Sequence, residues 1–504
     1  MAVLADITKG GRKAEAHRPW PRFTVDTEAW RRAVNALVEA RATLLGLWGD
    51  KEQVHLALLE EPSADIAVVT LECPDGKFPS IGVAYPPAIR LERAIRDLYG
   101  LKPAGAADTR AWLDLGFWGV SQPLGANKKS RKAQPAYAFL PVEGEDLHQI
   151  PVGPVHAGII EPGHFRFTAN GEAVVRLEQR LGYVHKGIDG LMTGADLDKG
   201  AKLAGRVSGD STVAYAIAFA QAVESALRLK VPERAVWLRA LMAELERIAN
   251  HCGDIGAICN DASFAILQAD FAILRERVLR AADACFGHRL MRDRIVPGGV
   301  TQDVAPGSLD GIAALIETIR GKFPELVAVY DNTASLQDRT VTTGYLSPAL
   351  ARAFGVGGYI GRASGRAFDA RKAIGYAPYD QLEFEVPVRD DGDVNARVWI
   401  RIREVEQSLS MLDELLAGLP GGPLARTLPQ PKEPREGIAL VEGFRGDILA
   451  WLRLDANGVI ARCHLRDPSW FHWPLLEAAI EGNIVADFPL CNKSFNCSYS
   501  GHDL

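Results

Sequence analysis

The sequence predicts an α+β protein in two parts: a small N-terminal α+β domain, then a helical-bundle domain with peripheral β-structure. Three observations carry this. Two strand-like apolar runs, Val54–Leu59 and Asp65–Leu71, lie between helical stretches at Ala29–Leu44 and Pro87–Tyr99. The stretch from Pro232 to Cys252 sets Leu238, Leu241, Met242, Leu245, Ile248, Ala249 and Cys252 at helical spacing on one face. The alternating stretch Asp447–Leu465 is broken by Asn457-Gly458, a hairpin signal.

Taken in order, residues 1–25 read as a flexible leader, polar through Arg22 and without an apolar signal-peptide core. The first domain is placed at 26–120, its last helix stopped by Gly100. Residues 121–150 are rich in Pro, Gly, Lys and Ser and read as a linker. Within it, Lys128-Lys129-Ser130-Arg131-Lys132 is a solvated loop or a docking patch. The second domain is placed at 151–504. It opens with strands at Phe165–Phe167 and Ala173–Leu177, and helices follow at 212–228, 264–284 and 308–335. Pro232, with Glu233 beside it, starts the long central helix. A β-rich region at 382–388 and a helix at 397–417 precede the hairpin.

A chain of 504 residues can bury a sizeable core. Its 57 basic and 63 acidic residues nearly balance, so it carries no basic footprint for nucleic acid. No run of about 18 apolar residues occurs, which argues against a direct membrane span. The seven cysteines include no Cys-x-x-Cys pair, which argues for isolated, mostly buried thiols in place of a disulfide framework.

Two sets of motifs then decide a resemblance. Glu92-Arg93-Ala94-Ile95-Arg96-Asp97-Leu98-Tyr99-Gly100, followed by Asp114-Leu115-Gly116-Phe117, resembles the C subunit (30 kDa-like) of respiratory complex I. A second set resembles the D subunit (49 kDa-like) and the large subunit of group-four membrane-bound hydrogenases of the formate hydrogenlyase and hydrogenase-4 type. It comprises Gly153-Pro154-Val155-His156, Glu161-Pro162-Gly163-His164-Phe165-Arg166, Gly182-Tyr183-Val184-His185-Lys186-Gly187 and Pro297-Gly298-Gly299-Val300. Pro378–Phe384 and Glu442-Gly443-Phe444-Arg445-Gly446 complete it. The resemblance covers nearly all of residues 26–504, and a fusion of both parts in one chain is the hydrogenase arrangement.

The departures are as informative. Arg206-Val207-Ser208-Gly209-Asp210-Ser211 stands where the hydrogenases carry Arg-Val-Cys-Gly-Ile-Cys, and Ser498…Gly501 stands where they carry the second Cys-x-x-Cys. Soft metals are held by thiolate and not by a weakly acidic hydroxyl. The resemblance and the replacements together predict that the nickel–iron site is absent and that no metal is bound directly. The tyrosine that meets the quinone head group in complex I, near the position of Gly209, is missing as well.

The resemblance implies proton-relay roles for Glu161 and His164 in one loop, for Asp261 beyond the central helix, and for Arg445. His156, Ser208, Asp210, Ser211 and Tyr215 would line a polar cavity for a quinone-like ligand. Arg445 is expected to pair with Asp210 or Glu161, while Arg206 and His251 are expected to face the iron–sulfur cluster of a partner subunit. The implied partners are a small iron–sulfur subunit, similar to the B subunit of complex I, and membrane antiporter-like subunits. The implied location is peripheral, on the cytoplasmic side of the inner membrane. The implied function is that of an electron-transfer subunit carrying out proton-coupled redox at a quinone-like or unknown acceptor. The alternative is a non-catalytic scaffold of such a complex. No Gly-rich strand–turn–helix loop suggests direct nucleotide binding.

Overall fold

The computed structural model describes residues 3–126, 128–130, 136–157 and 159–504. Helix α1 (Val3–Thr8) and strands β1 (Arg12–Lys13), β2 (His17–Arg18) and β3 (Arg22–Val25) occupy the stretch expected to be a flexible leader. That expectation is corrected by pairing: β3 adds in parallel to a strand of the first domain, and β2 adds in parallel to a strand near the C-terminus. Two strands of this stretch, β1 and β2, lie at sheet edges, and β3 lies beside β1. Its anchors are Leu4, Ile7 and Val25, all buried.

Helix α2 (Thr27–Val38) is capped by Asp26, whose carboxylate accepts from the Ala29 N–H at 2.8 Å. It ends short of the predicted Leu44. The chain reverses at Ala40 (φ 53°), and strand β4 (Thr43–Asp50) takes the following apolar residues. Strands β5 (Gln53–Glu60) and β6 (Asp65–Glu72) stand where the alternation puts them. The first sheet runs β1-β3-β6-β5-β4. Strand β7 (Lys77–Pro79) precedes helix α3 (Ile89–Tyr99), which stops at Gly100 in the left-handed region (φ 77°) before β8 (Lys102–Ala104). In the segment read as a linker, β9 (Val120–Ser121) pairs with β10 (Lys129–Ser130), and β11 (Leu147–Val152) begins before residue 151. Of the basic cluster in this segment, Arg131 and Lys132 lie outside the described residues.

Strands β12 (His164–Asn170) and β13 (Ala173–Arg180) form an antiparallel sheet with β11. Helices α4 (Ile188–Met192) and α5 (Leu197–Ala204) lead to the bundle: α6 (Thr212–Leu227), α7 (Glu233–Asp261) and α8 (Ala265–Phe286). Helix α6 is apolar all round and almost wholly buried, as a helix at the centre of a large core should be. Strands β14 (Ile295–Val296) and β15 (Gly299–Val300) make a small turn before α9 (Ser308–Asn332). Short helices α10 (Ala334–Thr340), α11 (Pro348–Ala353), α12 (Gly358–Ala363) and α13 (Ala370–Ala373) follow.

Residues 382–388 are not a strand. They alternate, with Leu382 and Phe384 buried, but their backbone bonds go elsewhere. The Glu383 and Glu385 N–H groups donate to Glu414 (3.1 Å) and Gln407 (3.2 Å) on α14 (Val394–Gly418). The apolar alternation is real, but side chains of a helix satisfy the backbone in place of a neighbouring strand.

Strands β16 (Arg435–Gly443), β17 (Gly446–Leu454) and β18 (Ile460–Arg466) form the sheet that β2 completes, with Gly458 at φ 78° in the predicted hairpin. One face covers α6, where a Cβ at Gly437 would collide with the Ala222 carbonyl. The other face packs on the N-terminal sheet through Ile438, Leu440, Leu449 and Trp451 against Leu45, Trp48 and Val68. Helices α15 (Ser469–Ala479), α16 (Phe488–Phe495) and α17 (Tyr499–Asp503) close the chain against this core. The seven cysteines are all free and buried. No helix among the described residues is long and apolar enough to cross a membrane.

Candidate functional site

Three segments converge at one point: the turn before α6, the tip of the β16–β17 hairpin and the segment entering α17. Ser208 Oγ and Ser498 Oγ lie 2.8 Å apart. Ser208 also donates to Asp210 Oδ1 at 2.8 Å, and the Gly501 N–H donates to Ser498 Oγ at 2.9 Å. The hairpin tip delivers Arg445, whose guanidinium grips both Asp210 oxygens at 2.8 and 2.6 Å. Arg445 also donates to Ser211 Oγ at 3.3 Å and to the Asn496 carbonyl at 2.5 Å. Of its two expected partners, Arg445 pairs with Asp210 and not with Glu161. A bidentate guanidinium–carboxylate pair is the strongest type of side-chain ion pair.

The electrostatics follow from this pairing. Burial would push the Asp210 carboxyl up, but the Arg445 guanidinium beside it wins and holds it down at about 2. Asp210 keeps 37% of its side chain exposed, whereas Arg445 keeps 5%. Below the pair, Tyr215 donates to Asp467 Oδ2 at 2.5 Å. Burial, and then the Asp467 carboxylate, push the Tyr215 phenol far above its ordinary range. A Cβ at Gly501 would collide with that same Asp467 oxygen, so a side chain at 501 has no room.

The nickel–iron centre that the resemblance implies is bridged by thiolates, and the four positions that the resemblance pairs with them hold Ser208, Ser211, Ser498 and Gly501. Three are hydroxyls already engaged in hydrogen bonds, and the fourth has no side chain. This donor set does not fit that metal centre.

Glu161 and His156 lie on the edge of the same region. Glu161 is exposed and accepts from the Ser500 N–H at 3.0 Å. His156 is half-buried, 3.3 Å from the Tyr499 hydroxyl, and burial lowers its pKa. Lys186 joins them by donating to the Val207 carbonyl at 2.9 Å. Burial lowers its pKa, opposed by Glu161, Asp503 and Asp467.

Four expected site residues lie elsewhere. His164 turns away into the β11–β12 edge, with Nδ1 3.3 Å from the Gly153 carbonyl and Arg166 donating to Nε2. His251 is fully buried and bound to Glu404 at 2.7 Å, so it faces no partner surface. Asp261 is the last residue of α7, outside the hydrogen-bonded cluster around Asp210, and burial raises its pKa. Arg206 is on the surface in an ion pair with Asp293.

Buried carboxylates on α7, Asp254 and Glu246 among them, escaped the sequence reading. Asp254 accepts from Asn496 at 2.9 Å and contacts Lys493 and Arg401, each at 3.3 Å. Glu246 accepts the Val213 and Ala214 N–H groups at the start of α6, at 2.8 and 3.1 Å. The signal was present in part, because both lie on a helix whose apolar stripe marks it as central.

Comparison with known proteins agrees with this architecture. Residues 23–134 match the family described as respiratory-chain NADH dehydrogenase, 30 Kd subunit, and residues 268–437 match the 49 Kd subunit. The chain is 32% identical over 437 residues to formate hydrogenlyase subunit 5 of Escherichia coli (strain K12), covering 85% of this chain and 77% of that one. It is 31% identical to the D subunit of the NADH-quinone oxidoreductase of Syntrophobacter fumaroxidans, covering 69% of this chain and 94% of that one. Among solved structures, one chain of the archaeal membrane-bound sulfane sulfur reductase complex superposes with a TM-score of 0.68 at 28% identity. That match covers 72% of this chain and all of the other. Fold and matches thus define a single chain that fuses the 30 Kd and 49 Kd units. It belongs to the family of respiratory-chain NADH dehydrogenase 30 Kd and 49 Kd subunits, together with formate hydrogenlyase subunit 5 and hydrogenase-4 component G.

Proposed function

We propose that this chain is the redox-site subunit of a membrane-associated complex and that it works without a nickel–iron centre. The observation that carries the reading is the Asp210–Arg445 pair, with Ser208, Ser211 and Ser498 around it, at the positions that the resemblance pairs with metal ligands. A fixed guanidinium, several hydroxyls and a carboxylate suit a polar, electron-accepting ligand such as a quinone carbonyl. Electrons would arrive from the iron–sulfur cluster of a small partner subunit, and membrane antiporter-like subunits would complete the assembly. The complex would sit peripherally, on the cytoplasmic side of the inner membrane. This chain would orient the acceptor and hold protons near it, with Glu161 and His156 at the open edge.

The relatives support the class of complex, since their names include a formate hydrogenlyase, a quinone oxidoreductase and a sulfane sulfur reductase. These names differ in acceptor, so the acceptor is the point to test. The experiment is reduction of a soluble quinone and of a polysulfide by the purified complex, with Asp210→Asn as control. Reduction that falls sharply in Asp210→Asn supports the reading. No reduction of either acceptor by the wild type overturns it.

A second reading, a non-catalytic scaffold, is favoured by one observation: the site's polar groups satisfy one another. Complementation with Glu161→Gln separates the two, because a scaffold tolerates that change.

A further inference from the structure

Behind Asp210, between α7 and α8, lies a pocket of about 90 Å³ that no role so far accounts for. Its walls are apolar: Leu245, Val278, Leu279, Ala282 and Met291 are buried. Its floor is polar, formed by Glu246, Asn250, Gly209 and Asp210, and its rim carries the exposed Arg275 and Arg289. A buried water needs roughly 10–15 Å³ of such space and two to four polar partners, so the pocket has room for several. The floor supplies the partners.

Glu246 is the unusual member. Its side chain is buried and forms no ion pair among the described residues. Arg247 beside it points instead to Glu244 and Glu404, Arg289 is held by Glu276, and Arg445 is spent on Asp210. From α8 only Arg275 approaches the pocket, at its rim. From the turn before α6, Asp210 faces Glu246 as a like charge. The Asn250 amide spans the two residues, donating to the Asp210 carbonyl at 2.8 Å and to the Glu246 carbonyl at 2.9 Å.

We propose that this pocket is a water-filled proton entry to the site, with Glu246 as the carboxyl that takes up and releases the proton beside Asp210. In the step, an O–H bond of a protonated pocket water breaks and an O–H bond forms on Glu246. The carboxylate charge is neutralised, and no electron moves. Oε1, held by the longer 3.1 Å bond from Ala214, is the oxygen freer to accept it. Burial raises the carboxyl most, the two backbone N–H groups pull it down, Asp210 raises it again, and the net position is about 8. The group can thus change protonation near neutral pH. The use of that proton rests on the redox reading above; the proton entry itself does not.

The test is infrared spectroscopy of the intact complex across the neutral-to-alkaline range. The protonated-carboxyl band, shifted in D₂O, should fade with a midpoint near 8, and Glu246→Gln should remove that component. Burial and the neighbouring Asp369 carboxylate also push the Glu442 carboxyl up, so the wild-type minus variant difference isolates Glu246. Ala282→Leu narrows the pocket and leaves the carboxyl group itself in the sequence. It should leave the band in place and slow its exchange into D₂O at least tenfold. A band unchanged by Glu246→Gln, or exchange unchanged by Ala282→Leu, overturns the proposal. If Glu246→Gln does not assemble, the Ala282→Leu exchange rate alone decides. A complex that reduces no acceptor yet shows the Glu246 band would fail the redox reading and leave this one standing.

Discussion

Two clusters of arginines and carboxylates sit against the central bundle, and they are built differently. The inner one is a closed lattice. Arg371 bridges Asp369 (2.7 Å) and Glu244 (3.0 Å), and Arg362 bridges Glu404 (2.7 Å) and Glu442 (2.9 Å). His251 ties to Glu404, and each of these side chains is 3% exposed or less. The outer cluster, Asp210 with Arg445, is one pair whose carboxylate stays more than a third exposed. The lattice tethers α7, α12, α13, α14 and β16 to one another. The outer pair joins two loops and looks onto open space, since a Cβ at Gly209 would touch nothing within 4 Å. The same residue types serve to hold the fold in one place and to present charge in the other; what separates them is burial, since the lattice is closed to solvent and the outer carboxylate is not.

The largest test of that contrast is Arg362→Met. It leaves Glu442 without its guanidinium in the core and takes one of several partners from Glu404 and Asp369, and breaking a buried pair costs about 3–5 kcal/mol. A large fall in Tm is expected, with no stable complex at growth temperature. Next is Glu161→Gln, read by acceptor reduction. The amide keeps an oxygen for the Ser500 N–H, so Tm should hold, while loss of a relay carboxyl should cost about 100-fold in rate. Third is Arg445→Met. Because Asp210 remains partly solvated, the expected stability cost is smaller than for Arg362→Met, with activity lost. An Arg445→Met protein as unstable as Arg362→Met would erase the distinction between the clusters.

The smallest effect is in acid. The folded pKa of Asp210 is depressed, so its pairing stabilises the fold above its unfolded value near 3.8 and is lost as pH falls toward about 2. Glu404 is held well below its ordinary value by Arg362 and His251 despite burial, so its ion pairs should outlast the outer pair. Carboxylate-resolved NMR between about pH 4 and 2 should show Asp210 protonating before Glu404.

Much of the fold is legible in the sequence. The alternation at 54–71, the apolar stripe of α7 and the Asn457-Gly458 turn each produce their element, because local pattern and tertiary packing agree there. The first 25 residues read as a flexible leader because β2 and β3 are too short to show a period, and their partners lie far along the chain. Residues 382–388 alternate like a strand, yet they spend their N–H groups on α14. At the site, the convergence of Ser208, Ser498 and Arg445 follows from motif positions. The partner of His251 does not, since Glu404 is 153 residues away in the chain. Glu246 stays hidden because a carboxylate on a helix reads as solvated until the neighbouring helix is seen to start at its oxygens.

The central claim is that the family's metal position is occupied here by an ion pair and hydroxyls. Metal analysis of the intact complex, purified through a tag on this chain, tests it most directly. The account predicts iron, from the partner's cluster, without stoichiometric nickel, and the same iron content in Ser208→Ala. Stoichiometric nickel that falls in Ser208→Ala would contradict it.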